Sequence, residues 1–157
     1  MNAPVEWEVV PAESRLSPPE ASRARKLLVT GDRGWNDVER VVEVLGMFTH
    51  GTVLVHGACR GADVVCAAVG EAMGFNLHAY PADWANHGRA AGPIRNQRMI
   101  TCEHLDHDPI DLCLAFHNDI VNSRGTADMA RRTVRTGIRC ILFTSAYELR
   151  PVLAGVR

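Results

Sequence analysis

Lysine is almost missing from this chain: Lys26 is the sole lysine among 17 basic residues, and the others are arginine. Basic and acidic side chains nearly cancel, 17 against 18, for a net charge of -1. No broad cationic surface is therefore available to neutralise a nucleic-acid backbone, and nucleic acid is not an expected partner. A C-x-x-C spacing is also absent. The five cysteines (Cys59, Cys66, Cys102, Cys113 and Cys140) are odd in number and widely spaced, which argues against a disulfide framework and a zinc ribbon and fits a reducing compartment. No apolar run approaches the roughly 20 residues of a membrane-spanning helix, and the N-terminus has no basic segment followed by an apolar core. The expectation is a soluble protein that is not secreted and has no membrane partner.

What is present is a regular alternation. At 157 residues the chain suits one domain with a proper core. Half of the eight prolines precede Arg25, so residues 1–24 are expected to form a flexible proline-rich arm and residues 25–157 the domain. From Arg25 onward, strands are expected at 25–30, 52–56, 75–80, 110–116 and 138–143. Helices are expected at about 36–49, 62–73, 93–103 and 125–137. In the first helix Val38, Val41, Val42, Leu45 and Phe48 recur with helical spacing while Asp37, Glu39, Arg40 and Glu43 fill the other face. Pro93 suits the first turn of the third helix, where its missing N–H costs nothing.

The strands are nearly all apolar, as strands covered on both faces must be. The expected fold is α/β: a Rossmann-like, doubly wound parallel sheet of about five strands in a three-layer α/β/α arrangement. In such sheets ligands bind beyond the carboxyl ends of the strands, where the strand order reverses. With the order 3-2-1-4-5, the loops after the first and fourth strands face each other.

The loops at those carboxyl ends carry the chemistry. Leu27-Leu28-Val29-Thr30 runs into Gly31-Asp32-Arg33-Gly34-Trp35, Val53 to His56 runs into Gly57 to Asp63, and Leu112 to Phe116 precedes Arg124-Gly125-Thr126. Each loop pairs glycine with arginine, so backbone N–H groups at a helix start and a guanidinium can converge on phosphate. In the first loop Asp32 and Arg33 stand between two glycines, and Trp35 offers a ring to stack on a base. In the second, Gly57 and Gly61 suit close helix–strand packing and Arg60 suits phosphate, while Asp63 is a first-turn acid. Cys59 lies beside Arg60 at a helix start.

The segment 81–98 places Trp84 among three arginines just beyond a strand, which marks a substrate-covering loop with Arg95 directed at a phosphate. His104 and His107 lie three apart among carboxylates, but at the far end of the sheet from the crevice. No metal ligand is assigned from that weak spacing.

Four blocks now stand in order: Thr30-Gly31-Asp32-Arg33, Val55 to Asp63, Gly92 to Met99, and Arg124 to Met129. Together they resemble the YspA/YpsA-related branch of the SLOG superfamily, whose members occur in bacterial and phage genomes. The wider superfamily includes the Lonely Guy phosphoribohydrolases, which cleave nucleoside monophosphates, and the DprA single-strand DNA binders. Arg95 and Met99 keep the hydrolases' Arg-to-Met spacing. Asn122-Ser123 replace a glycine pair, and Met129 stands where the catalytic Glu is expected. Asp128 is one position earlier, about 100° away on a helix.

The resemblance implies a nucleotide-binding Rossmann-like fold. The leading expectation is a protein that binds a nucleotide or nucleotide-derived phosphorylated molecule as sensor, carrier or sequestering agent, with no required cofactor. Its ligand-binding residues are Gly31, Asp32, Arg33, Trp35, Gly57, Arg60, Gly61, Asp63, Trp84, Arg95, Asn96, Arg124, Gly125 and Thr126. The alternatives are a phosphoribohydrolase with Arg95 and Asp128 as catalytic residues, and DprA-like single-strand DNA binding. Homo-oligomers, commonly dimers, are implied by the resemblance, and apolar residues of the tail from Ala146 need burial outside the five-stranded core. The expected setting is cytoplasmic, the host cytoplasm for a phage-encoded chain.

Overall fold

A computed structural model of the chain describes residues 8–9 and 16–145. Its sheet is built on β2 (Lys26–Gly31), β3 (Val53–His56), β4 (Asn76–Ala79), β5 (Leu112–Phe116) and β6 (Arg139–Phe143). With the two-residue β1 (Glu8–Val9), the order is β1-β6-β5-β2-β3-β4, and every pairing is parallel. The five longer strands therefore take the 3-2-1-4-5 arrangement, which the sequence alone left open, with β2 and β5 adjacent.

Alternation within the apolar strands explains the two covered faces. Leu27, Val29, Leu114, Phe116 and Ile141 belong to one buried cluster with residues of helices α1 (Pro18–Arg23), α2 (Val38–Leu45) and α3 (Ala62–Ala72). Leu28, Val55, Cys113, Ala115 and Leu142 belong to another, with α5 (Ala91–Ile100) and α6 (Gly125–Arg135). The result is the three-layer α/β/α arrangement. Each fully buried Leu or Phe in these clusters contributes about 1.5–3 kcal/mol relative to exposure.

Three expectations need revision. The packed domain begins before residue 25: Leu16, Ala21 and Ala24 are buried in the core. Pro18 and Pro19 start α1 instead of marking an arm, because the first turn needs no N–H from them, and Ser17 Oγ accepts the Glu20 N–H at 3.3 Å. The remainder of the expected arm, apart from β1, and the tail from Ala146 lie outside the described residues. Second, α2 ends at Leu45 and its expected apolar face is covered only in part: Val41, Leu45 and Phe48 are buried, but Val38 and Val42 are exposed, and Arg40 and Val44 are buried in their place. Tertiary partners decide this, since Arg40 donates from Nε to Thr144 O at 3.2 Å and its guanidinium lies over the Phe143 ring. Third, the polar segment after β4 contains α4 (Trp84–His87) and a 3-10 turn leading directly into α5.

At the end of α5 the chain widens into a π-helical turn, Thr101–Leu105, and Glu103 is buried there. Glu103 Oε1 accepts from Tyr80 OH at 2.6 Å and lies 2.8 Å from His78 Nδ1, while Lys26 Nζ donates to Oε2 at 3.2 Å. Burial pushes the Glu103 pKa up, but the bonds from Tyr80, His78 and Lys26 outweigh it and hold the group below its ordinary value. Stability supplied by a depressed carboxylate is present above the unfolded-state pKa and is lost as pH falls through the folded one. Glu103→Gln should therefore cost about 3 kcal/mol at pH 7 by leaving the Lys26 ammonium buried without its counter-charge. In urea denaturation, the gap from the parent protein should narrow below about pH 4. An undiminished gap in acid would mean that the charge is not its source.

Candidate functional site at the switch point

Because β2 and β5 are neighbours while their following segments diverge to opposite faces, a crevice opens beyond their carboxyl ends. It encloses about 840 Å³. Its floor is closed by backbone contact: Asp32 N donates to Phe116 O at 2.9 Å, and Ala62 N donates to Asp32 O at 3.0 Å. A side chain on Gly31 would collide with the Phe116 carbonyl and Ala62. One on Gly61, whose φ is +78°, would strike the carbonyls of Asp32 and Arg33. The first two glycine loops are thus joined, and Gly34 N closes a turn on Asp32 Oδ1 at 2.9 Å.

Arg95 crosses one wall from α5. Its Nη1 donates to Gly57 O and, at 3.3 Å, to Tyr80 O; its Nε donates to Asn96 Oδ1 at 2.8 Å. The Cys59 Sγ lies 3.5 Å from Nη2. Any side chain on Gly57 would occupy the guanidinium's place. Beneath this wall Asp63 is buried, with Oδ2 accepting from Gly57 N at 3.0 Å and Cys59 N at 3.3 Å. Burial raises its pKa to about 6, against the lowering effects of those N–H groups, Arg95 and Arg33.

Next to it, on the same face of the sheet, the start of α6 forms a further wall, and Asn96 Nδ2 donates to Gly125 O at 3.5 Å. Ser123 Oγ accepts the Thr126 N–H at 3.1 Å, whereas the N–H groups of Gly125 and Ala127 take no acceptor among the described residues. The space beside Gly125 is open. Asp128 Oδ2 is held by Asn96 Nδ2 at 3.0 Å and by Arg132 Nε at 2.8 Å. Trp84, 48% exposed, sits at the rim with Arg33 over its ring at 5.4 Å from the centroid.

The crevice therefore brings together Gly31, Asp32, Arg33, Asp63, Trp84 and Arg95 with Asn96, Arg124, Gly125, Thr126 and Asp128. Four expected residues do not line it. Trp35 is a core residue: its ring meets Phe116 edge-on with centroids 5.6 Å apart, and its Nε1 donates to Asp37 O at 3.1 Å. It is no base-stacking platform in this arrangement. Arg60 is exposed outside the crevice, and Gly57 and Gly61 act behind the wall by permitting close approach.

The structure adds Thr30, Cys59, Arg89, Gly92, Pro93, His117 and Ser123 to the lining. Arg89 and Cys59 were visible in the sequence beside motif residues, but His117 carries no local signal beyond its position one residue past a strand. At the far end of the sheet, His104 Nδ1 accepts from Ile110 N at 2.9 Å and His107 Nδ1 lies 2.6 Å from Cys102 O. Both are used in shaping the turn.

A parallel sheet with helices on both faces and a polar crevice at its switch point defines a Rossmann-like α/β protein. Residues 25–87 match the YspA, cpYpsA-related SLOG family. Over 128 residues the chain is 36% identical to Gene 61 protein of Mycobacterium phage D29, an alignment covering 76% of this chain and 96% of that relative. The chain belongs to the YspA, cpYpsA-related SLOG family. No solved structure matches it, and no helix among the described residues is long and apolar enough to cross a membrane.

Asp63 gives the crevice a pH response whose sign is fixed by its raised pKa. Below about 6 the carboxyl is neutral, and a negative charge beneath the Arg95 wall is removed. Sulfate is a suitable probe because it does not gain a proton in this range. Its affinity for the parent protein should rise several-fold from pH 8 to pH 5.5, about 1 kcal/mol for one nearby charge. Asp63→Asn should bind at the low-pH level throughout, as read by calorimetric titration. A variant with the parent's full pH response would assign the effect to another group.

Proposed function

We propose that this protein binds a nucleotide or nucleotide-derived phosphorylated small molecule in the switch-point crevice, as a sensor, carrier or sequestering protein. The observation that carries the reading is the convergence of Arg33, Arg89, Arg95 and Arg124 with the open α6 start at Gly125 on one crevice. Such a helix start presents unpaired N–H groups and the positive end of its dipole to an anion. The guanidiniums supply planar, charge-assisted donors. Trp84 at the rim supplies the aromatic face for a base. Family membership supports a nucleotide-related role without specifying a ligand.

A ligand that binds only the folded chain raises its stability by about 2.7 kcal/mol at one hundred times its Kd. For a chain of this size that corresponds to a Tm increase of about 5–10 °C. AMP and ADP-ribose should each be tested by thermal shift against the parent and Arg124→Ala, which should weaken binding about tenfold. No shift with either compound at millimolar concentration would refute the reading. A second reading, hydrolysis of a nucleoside monophosphate, draws on Asp128 and Arg95 lining the same crevice. The same AMP samples would then release free adenine, and Asp128→Asn would stop the release.

We further propose a homodimer. Val38 and Val42 of α2 and Val64 of α3 are 44–53% exposed on helices that pack side by side. A second copy burying such positions is the commonest way to remove them from water. Light scattering at low micromolar concentration should give twice the chain mass, and Val42→Glu together with Val64→Glu should shift it to the monomer. A monomeric parent would exclude this assembly.

A further inference from the structure

His117 is a crevice residue with one ring nitrogen already committed. It follows β5 directly, and its backbone is held from two sides: its N–H donates to Phe143 O at 3.1 Å, and the preceding carbonyl, Phe116 O, receives Asp32 N at 2.9 Å. The ring is fixed as well, since Nδ1 accepts the Asp119 N–H at 2.9 Å. An imidazole nitrogen that accepts a hydrogen bond carries no proton, so the neutral ring must hold its proton on Nε2. Nε2 has no protein partner among the described residues. The loop that presents the ring is braced by Asn122 Nδ2 donating to Asp119 Oδ2 at 2.8 Å and by Ser145 N donating to Asn118 Oδ1 at 2.7 Å.

The chain uses the same device once more, at the end of β3. There His56 Nδ1 accepts the Ala58 N–H at 3.1 Å, but His56 is buried and does not line the crevice. Shaping a strand end thus requires only the Nδ1 bond, which both histidines make. His117 differs in being half exposed and in lining the crevice together with Gly31, Ser123 and Gly125.

We propose that His117 is a ligand-contact residue that donates its Nε2 hydrogen to a phosphate oxygen of the bound molecule. This rests on the reading of the crevice as a site for phosphorylated ligands. Within it, His117 adds an Nε2 donor at the end of β5. A donor fixed in tautomer and direction before binding loses little freedom when the ligand arrives.

Calorimetric titration at pH 8 with AMP, adenosine and inorganic phosphate separates the possibilities. His117→Ala should bind AMP and phosphate about tenfold more weakly than the parent and leave adenosine unchanged. His117→Gln, which returns an N–H donor at similar reach, should recover most of the loss. Long-range nitrogen–proton NMR of the parent should show the proton on Nε2 and a shift of that nitrogen on adding phosphate. Equal weakening of AMP and adenosine would place the contact on the nucleoside and overturn the phosphate assignment. AMP binding unaffected by His117→Ala, with no Nε2 response, would overturn the proposal while leaving the crevice reading intact. If the parent binds neither AMP nor phosphate, both fall together.

Discussion

The guanidinium of Arg95 occupies the space that a side chain at position 57 would fill, and several separate pieces of chain are fastened by it. Its hydrogen bonds reach the carbonyls following β3 and β4, the Cys59 sulfur and the neighbouring Asn96. Asn96 in turn holds Asp128 at the first turn of α6. A single cation thus connects the second glycine loop, the edge strand, α5 and α6. Its position next to buried Asp63 also explains why that carboxyl is not simply desolvated: Arg95 and two backbone N–H groups oppose the cost of burial. Removal of space at Gly57 would act on all of these contacts at once, though Gly57 itself does not line the crevice.

Charge is placed with corresponding economy. The chain is almost neutral overall, but its crevice gathers four arginines with Asp32, Asp63 and Asp128. Asp128 is matched by Arg132 and Asn96, and Asp32 accepts a backbone N–H within its own turn. The α6 start at Gly125, beside which the space is open, then meets less opposition than the residue count suggests. A local field of this kind suits a small anion far better than an extended polyanion, whose binding draws on many contacts over a broad surface.

The nearby sulfur does not change this picture by itself. Cys59 belongs to the arginine-bearing wall, whereas Cys66, Cys113 and Cys140 are buried core residues. Their different surroundings separate a thiol accessible to the crevice from thiols that serve as small apolar groups. The buried Glu103 cluster is separate again: it ties Lys26 of β2 to His78 of β4 and to Tyr80 through the π-helical turn. Tyr80 carries its effect toward Arg95 through the backbone, because its carbonyl accepts from that guanidinium.

Apolar runs without alternation were enough to indicate a parallel sheet covered on both faces, since only doubly buried strands tolerate such composition. Glycine and arginine at successive strand ends likewise indicated a crevice, and the two loops predicted to face each other do so across β2 and β5. Local patterns did not decide the full buried face of α2, where Val38 and Val42 stay exposed while Arg40 bridges toward β6, nor the fate of Trp35, whose ring packs on Phe116. They also could not distinguish glycines that face a ligand from those that let chains approach. His117 was invisible for the same reason: a lone histidine after a strand acquires meaning only when folding places it in the lining of a crevice. Sequence determined the layers and the end of the sheet where chemistry gathers, because periodicity and strand-end composition are local properties. Tertiary structure alone decided which side chains meet there, because that depends on distances between residues far apart in the chain.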